Sequence, residues 1–154
     1  MSQFTKNVLI FLVINFAALG IGGFLMGEGP TGDYYQSINK APWTPPGWVF
    51  GAAWTTIMVC FSFYMAYWLK SENDKFVWGL FALQFILNVG WNPLFFNLHL
   101  TLPALVVICI LTLLVGYFLF SNWNLLGAKS LLIAPYFIWL CIATSLNWYI
   151  LANN

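Results

Sequence analysis

Arginine is absent from this chain of 154 residues, and the charged residues together make up only 6% of it, with a formal net charge of +1. Phosphate recognition in a nucleic acid needs a concentrated basic surface, so nucleic acid is excluded as a partner. With 62% hydrophobic and 20% aromatic residues, so few charges also exclude a soluble domain of this length. Cysteine is scarce: Cys60, Cys109 and Cys141 each lie in an apolar run. An odd number without CxxC spacing supports neither a disulfide framework nor a metal site, and the three read as small buried hydrophobes. His99 is the sole histidine. With no second ligand near it in sequence, it reads as a turn residue rather than a metal or haem ligand. No metal and no cofactor is expected.

Five apolar runs can be marked, at about residues 8–26, 49–69, 76–98, 102–120 and 130–151. Each approaches the roughly 20 residues that cross about 30 Å of hydrocarbon as a helix. None holds Asp, Glu, Lys or Arg, which disfavours a proton-coupled transporter, since such machines use ionisable groups within the membrane. Polar residues do not alternate along the runs, so helices rather than a membrane barrel are expected. The fold expected is all-α: one domain over residues 1–154, an integral membrane bundle of five transmembrane helices. The first run follows Lys6 but is too long for a secretory signal and lacks a small-x-small cleavage site, so it is expected to be retained. Lys6, Lys70, Lys75 and Lys129 fall on the side of the N-terminus, and Lys40 falls on the other, with Glu72 and Asp74 diluting the bias. The positive-inside rule then puts the N-terminus in the cytoplasm.

The longest link, residues 27–48, ends in Lys40-Ala41-Pro42-Trp43-Thr44-Pro45-Pro46-Gly47-Trp48. Each proline fixes φ near about −65° and restricts its predecessor, and Pro46 can open the helix that follows. An irregular segment of this length in a compact protein is typically a lid or binding loop. The alternative is an interfacial aromatic belt that binds nothing.

Uncharged polar groups recur inside the spans at helical spacing. Gln84, Asn88, Trp91 and Phe95 share one face of the third span, with Asn92 beside it; Tyr136, Trp139, Ala143 and Asn147 form a stripe on the fifth; Trp54, Met58, Phe61 and Met65 line up on the second. Three such stripes can enclose a flat hydrophobic ligand and offer it an amide hydrogen bond. Inward Asn and Gln also serve as interhelical contacts worth about 0.6 kcal/mol each, and spacing alone leaves both roles open for Asn88. Pro93 and Pro135 are expected to bend the third and fifth spans from within. Gly23 and Gly27 stand in GxxxG spacing, which supports helix association and leaves a homodimer open.

Three motifs resemble the tryptophan-rich sensory protein and translocator protein family (TspO/MBR, the peripheral benzodiazepine receptors), and more closely its bacterial-type members. They are Trp43-Thr44-Pro45-Pro46-Gly47 followed by Trp54; Leu87-Asn88 with Trp91-Asn92-Pro93-Leu94-Phe95-Phe96; and Pro135-Tyr136-Phe137-Ile138-Trp139 with Ala143-Thr144-Ser145-Leu146-Asn147. The resemblance implies a five-helix membrane bundle, in a bacterial cell membrane, whose first loop folds over a ligand cavity. It implies that Tyr35, Trp43 and Pro45 belong to the lid, and that Trp54, Met58, Asn88, Trp91, Trp139 and Ala143 line the cavity. The implied ligands are porphyrins and related tetrapyrroles, bound by a receptor, sensor or carrier. An alternative activity is the light- and oxygen-dependent degradation of porphyrin, with Trp54 and Trp139 as candidate catalytic residues. The chain departs from the family in two places. Its lid reads Lys40-Ala41-Pro42-Trp43 where the family has Lys-Pro-x-Trp. Tyr149 is followed by Ile150, Leu151 and Ala152, without the basic residue of the animal cholesterol motif, so porphyrin is expected over sterol.

Overall fold

A computed structural model describes residues 1–72 and 75–154. Asp74, which entered the charge balance, lies outside the described residues. Helix α1 (Gln3–Leu25) leads through a 3₁₀ turn (Gly29–Thr31) to the short α2 (Asp33–Ser37). Then come α3 (Gly47–Ser71), α4 (Lys75–Asn92) with a π turn at its end (Pro93–Asn97), and α5 (Thr101–Ser121). The short α6 (Trp123–Leu126) and a 3₁₀ segment (Gly127–Ile133) lead into α7 (Ala134–Asn153). Five segments are long and apolar enough to cross a bilayer: Gln3–Thr31, Gly47–Ser71, Lys75–Asn97, Thr101–Ser121 and Trp123–Asn153. They fall on the five apolar runs, and the chain is an all-helical integral membrane bundle.

The long helices close into a ring. α1 packs on α3 and α4, α4 on α5, α5 on α7, and α7 on α3. Lipid tails are as apolar as leucine, so close packing and internal hydrogen bonds, rather than the hydrophobic effect, must hold such a ring together. Its interior is accordingly aromatic and sparsely polar. Phe11, Phe61, Tyr64, Trp68 and Tyr136 are buried at the helix contacts. The Asn15 amide donates to Ser62 Oγ at 2.8 Å, joining α1 to α3. Gln84 Nε2 donates to the Tyr136 hydroxyl at 2.7 Å, joining α4 to α7. Tyr64 donates to the Phe118 carbonyl at 2.7 Å and accepts from Asn122 Nδ2 at 2.7 Å, tying α3 to the end of α5.

The helix ends follow from local chemistry. Ser2 caps α1 by accepting from the Thr5 amide at 3.2 Å. Gly27, with φ of 65°, takes the left-handed conformation that ends it. Pro46 precedes the first turn of α3. Pro93 has no N–H for the Val89 carbonyl, and the Asn92 amide turns back toward that carbonyl (3.5 Å) and the Asn88 carbonyl (3.1 Å). The backbone then widens into the π turn, where the Leu98 amide bonds to Pro93 O at 2.8 Å.

Three sequence expectations are revised, the first being the cysteines, of which Cys60 and Cys109 are only partly covered and Cys141 is exposed on the bundle. Pro135 sits in the first turn of α7 rather than inside it, where its missing donor costs no helical bond. Within one copy of the chain the GxxxG pair does not seat a neighbouring helix. A Cβ on Gly23 would meet nothing within 4 Å, and Gly27 lies beyond the helix. The glycine that admits a neighbour is Gly22, whose added Cβ would stand 2.7 Å from Asn92 Nδ2.

Candidate functional site

The ring is open at the end where α1, α4 and α7 meet the link between α1 and α3, and an apolar cavity of about 120 Å³ lies there. α3 contributes Phe50 and Trp54, α4 contributes Asn88, Trp91 and Asn92, and α7 contributes Trp139, Leu140 and Ala143. Met26, Pro30 and Phe96 close the mouth, and Ile108 and Leu111 of α5 complete the wall. Trp139 stands edge-on to Phe50 at 5.2 Å between ring centres, and Trp54 edge-on to Tyr136 at 5.9 Å. These contacts hold the two indoles without using their N–H groups, for which no acceptor lies within bonding distance among the described residues.

Asn88 is the one buried amide in the lining whose own side chain bonds to nothing among the described residues. Its neighbours differ. Trp91 Nε1 donates to Asn147 Oδ1 at 3.0 Å, and Asn147 Nδ2 donates to the Thr101 carbonyl at 3.1 Å, so those groups are occupied in joining α4, α7 and α5. Trp91 also stacks on Phe95 at 5.1 Å, which fixes its ring in the wall.

The link over the cavity is folded, not loose. Tyr34 stacks on His99 at 3.8 Å, and His99 takes a left-handed φ of 57° in the turn between α4 and α5. Tyr35 leans on Phe96 at 5.4 Å. Burial pushes both phenols above their ordinary range, for Tyr34 with partial relief from a hydrogen bond to Thr101, so both are neutral at physiological pH. The far end of the link is pinned to α7. Trp43 Nε1 donates to Ser145 Oγ at 3.1 Å and its ring meets Tyr149 edge-on at 5.4 Å. The Asn39 amide donates to Asn154 Oδ1 at 2.8 Å, and Asn154 Nδ2 donates back to the Asn39 carbonyl at 3.1 Å.

A second chamber, of about 340 Å³, lies between the link and the bundle. Tyr35, Gln36, Lys40, Thr44 and Pro45 line it, and Pro30, Phe50 and Phe96 are shared with the inner cavity as a partition. The structure therefore distributes the sequence candidates as follows. Trp54, Asn88, Trp91, Trp139 and Ala143 converge on the inner cavity. Tyr35 and Pro45 face the outer chamber. Met58, one turn along α3 from Trp54, is wholly buried in the packed core and lines neither space. Trp43 is half exposed and serves as the pin to α7. Phe50 was not anticipated, although it stands four residues before Trp54 on the same face. Met26, Pro30 and Phe96 belong to segments without helical period, and nothing in their spacing marks them.

The family model described as TspO/MBR matches residues 10–152. Protein CrtK of Rhodobacter capsulatus is 33% identical over 111 residues, covering 70% of this chain and 69% of its own. Tryptophan-rich protein TspO of Chlorobaculum tepidum is 33% identical over 103 residues, 64% of this chain and 65% of its own. The translocator protein of Bos taurus is 35% identical over 86 residues, 50% of each chain.

Proposed function

Because the chain belongs to the TspO/MBR family, we propose that it is a membrane receptor, sensor or carrier that takes a porphyrin or related tetrapyrrole into the cavity between Trp54 and Trp139, with residues 27–48 as its lid. The observation that carries this reading is the Asn88 amide, buried in an aromatic wall with no protein partner among the described residues. The Asn88 side-chain atoms are open to the cavity rather than sealed in the packing, so a ring nitrogen or substituent of a bound ligand can pair with them, a neutral hydrogen bond contributing about 0.5 to 1.5 kcal/mol. Aromatic walls supply the stacking that a flat macrocycle needs.

Titration of the purified protein with protoporphyrin, haem and cholesterol, followed by tryptophan quenching, tests the reading. Saturable quenching by the tetrapyrroles and none by the sterol is expected, since no cation follows Tyr149. Asn88→Ala should weaken tetrapyrrole binding about fivefold, the loss of one neutral hydrogen bond. An unchanged affinity would assign Asn88 to packing. A second reading, oxidative degradation of porphyrin in light, is favoured by the three indoles, of Trp54, Trp91 and Trp139, that line the one cavity.

The orientation proposed is N-terminus inside, from the lysines at 6, 70, 75 and 129. In a background without Cys60, Cys109 and Cys141, single cysteines replacing Ser2 and Asn154 should label from opposite faces of the membrane, the first only after the cytoplasmic face is exposed. Labelling of both from one face would remove the odd number of crossings.

A further inference from the structure

Among the described residues, Lys40 is the one charged residue lining either chamber. Its ammonium donates to the Tyr35 carbonyl at 2.7 Å and the Gln36 carbonyl at 3.4 Å, and sits 4.9 Å from the centre of the Tyr35 ring. An ammonium carries three protons to donate, so capacity for one further acceptor remains. No carboxylate pairs with it among the described residues. Of the other polar side chains of the chamber, the Tyr35 hydroxyl has no partner among the described residues, whereas Thr31, Gln36 and Thr44 are engaged with backbone carbonyls. Gln36 Nε2 donates to the Pro30 carbonyl at 2.7 Å, and the Thr44 hydroxyl donates to the Ala41 carbonyl at 2.7 Å.

Size points the same way. The inner cavity of about 120 Å³ falls short of the roughly 300 Å³ at which organic ligand sites begin. The outer chamber is about 340 Å³, and the two meet at the side chains of Phe50 and Phe96 and at Pro30. Aromatic side chains swing about two torsions, so a ligand that displaces Phe50 or Phe96 occupies both spaces. Its flat apolar part then lies against the tryptophans and its polar edge lies under the lid.

Resting on the tetrapyrrole reading, we propose that the outer chamber is a carboxylate subsite in which Lys40 binds an acidic side arm of the ligand, so that the protein selects ring carboxylic acids over their neutral esters. Lys40 holds the arm by a charge-assisted hydrogen bond while its other protons keep the amine on the end of α2. The ring supplies most of the affinity and the cation supplies the discrimination.

The test compares protoporphyrin, which carries two free carboxyl groups, with its dimethyl ester, in the parent protein, Lys40→Gln and Lys40→Arg. Gln keeps a donor for the α2 carbonyls and removes the charge. The parent should bind the acid more tightly than the ester. Lys40→Gln should weaken the acid about tenfold and leave the ester unchanged, the low end for a charged hydrogen bond at a half-exposed site. Lys40→Arg should restore the preference. Equal affinity of Lys40→Gln and parent for the acid overturns the subsite while leaving the tetrapyrrole reading in place. Equal weakening of acid and ester also overturns it, because Lys40 then acts only on the shape of the lid. Failure of both compounds to bind the parent overturns the subsite together with the reading beneath it.

Discussion

Trp54→Ala is expected to weaken protoporphyrin binding about 5- to 150-fold, the range set by roughly 1 to 3 kcal/mol for stacking of one flat heterocycle on an aromatic side chain. The position makes the result interpretable. The Trp54 indole N–H has no acceptor among the described residues, and its ring makes one edge contact, with Tyr136. Tyr136 is in turn held by Gln84 at 2.7 Å whether or not Trp54 is present. Truncation therefore opens the cavity wall and removes one ring contact between α3 and α7, without breaking a hydrogen bond between helices. Thermal unfolding in detergent, followed by circular dichroism, should show the variant folded. A folded variant with parental affinity would mean that the ligand does not lie against this wall.

A change of similar size separates binding from chemistry. If the bound porphyrin is oxidised in light, the macrocycle is the light-absorbing group and dioxygen the oxidant, so the protein needs no acid, base or metal of its own. What it can supply is an indole close to the excited ring. Trp54→Phe and Trp139→Phe keep an aromatic wall and remove the more readily oxidised group. On the enzyme reading, both variants retain near-parental affinity and lose a discrete, oxygen-dependent coloured product that the parent forms under illumination. Darkness or removal of oxygen should stop its formation. Bleaching in the parent no different from that of porphyrin in empty micelles would leave binding as the whole function. Absorbance spectra during illumination, with affinity measured in parallel, decide between the two.

Much of the architecture was legible because a membrane punishes exceptions. Uncharged runs of this length have only one stable form in lipid, and the spans follow. Pro46 and Pro93 act through a missing N–H and a fixed φ, local properties that survive any tertiary context, and each marks a change of backbone in the structure. The stripes on α4 and α7 carry Asn88, Trp91, Trp139 and Ala143 to one cavity because a bulky or polar residue that repeats at helical spacing faces the ring interior.

The rest was hidden for equally physical reasons. α1 is apolar around most of its circumference, with Asn15 the one polar side chain inside its apolar run, and the close contact falls on Gly22, on the face of Asn15, rather than on Gly23. Met58 shares a face with Trp54, but a stripe runs the length of a helix while a cavity does not, and one turn away the core has closed over it. Loop residues have no period at all. Trp43 could have pointed anywhere, and what fixes it is Ser145 and Tyr149, about a hundred residues later in the chain. The same holds for Lys40, which in the sequence is a charge on the sparsely charged side and in the structure lines a chamber.

The measurement that bears most directly on the cavity is an experimental structure of the protein with protoporphyrin bound. Density for the ring between Trp54 and Trp139, within hydrogen-bonding reach of the Asn88 amide and with Phe50 or Phe96 displaced, is the expected result. Ring density confined to the lipid-facing surface of the bundle, with the inner cavity unchanged and the Asn88 amide still unmet, would contradict it.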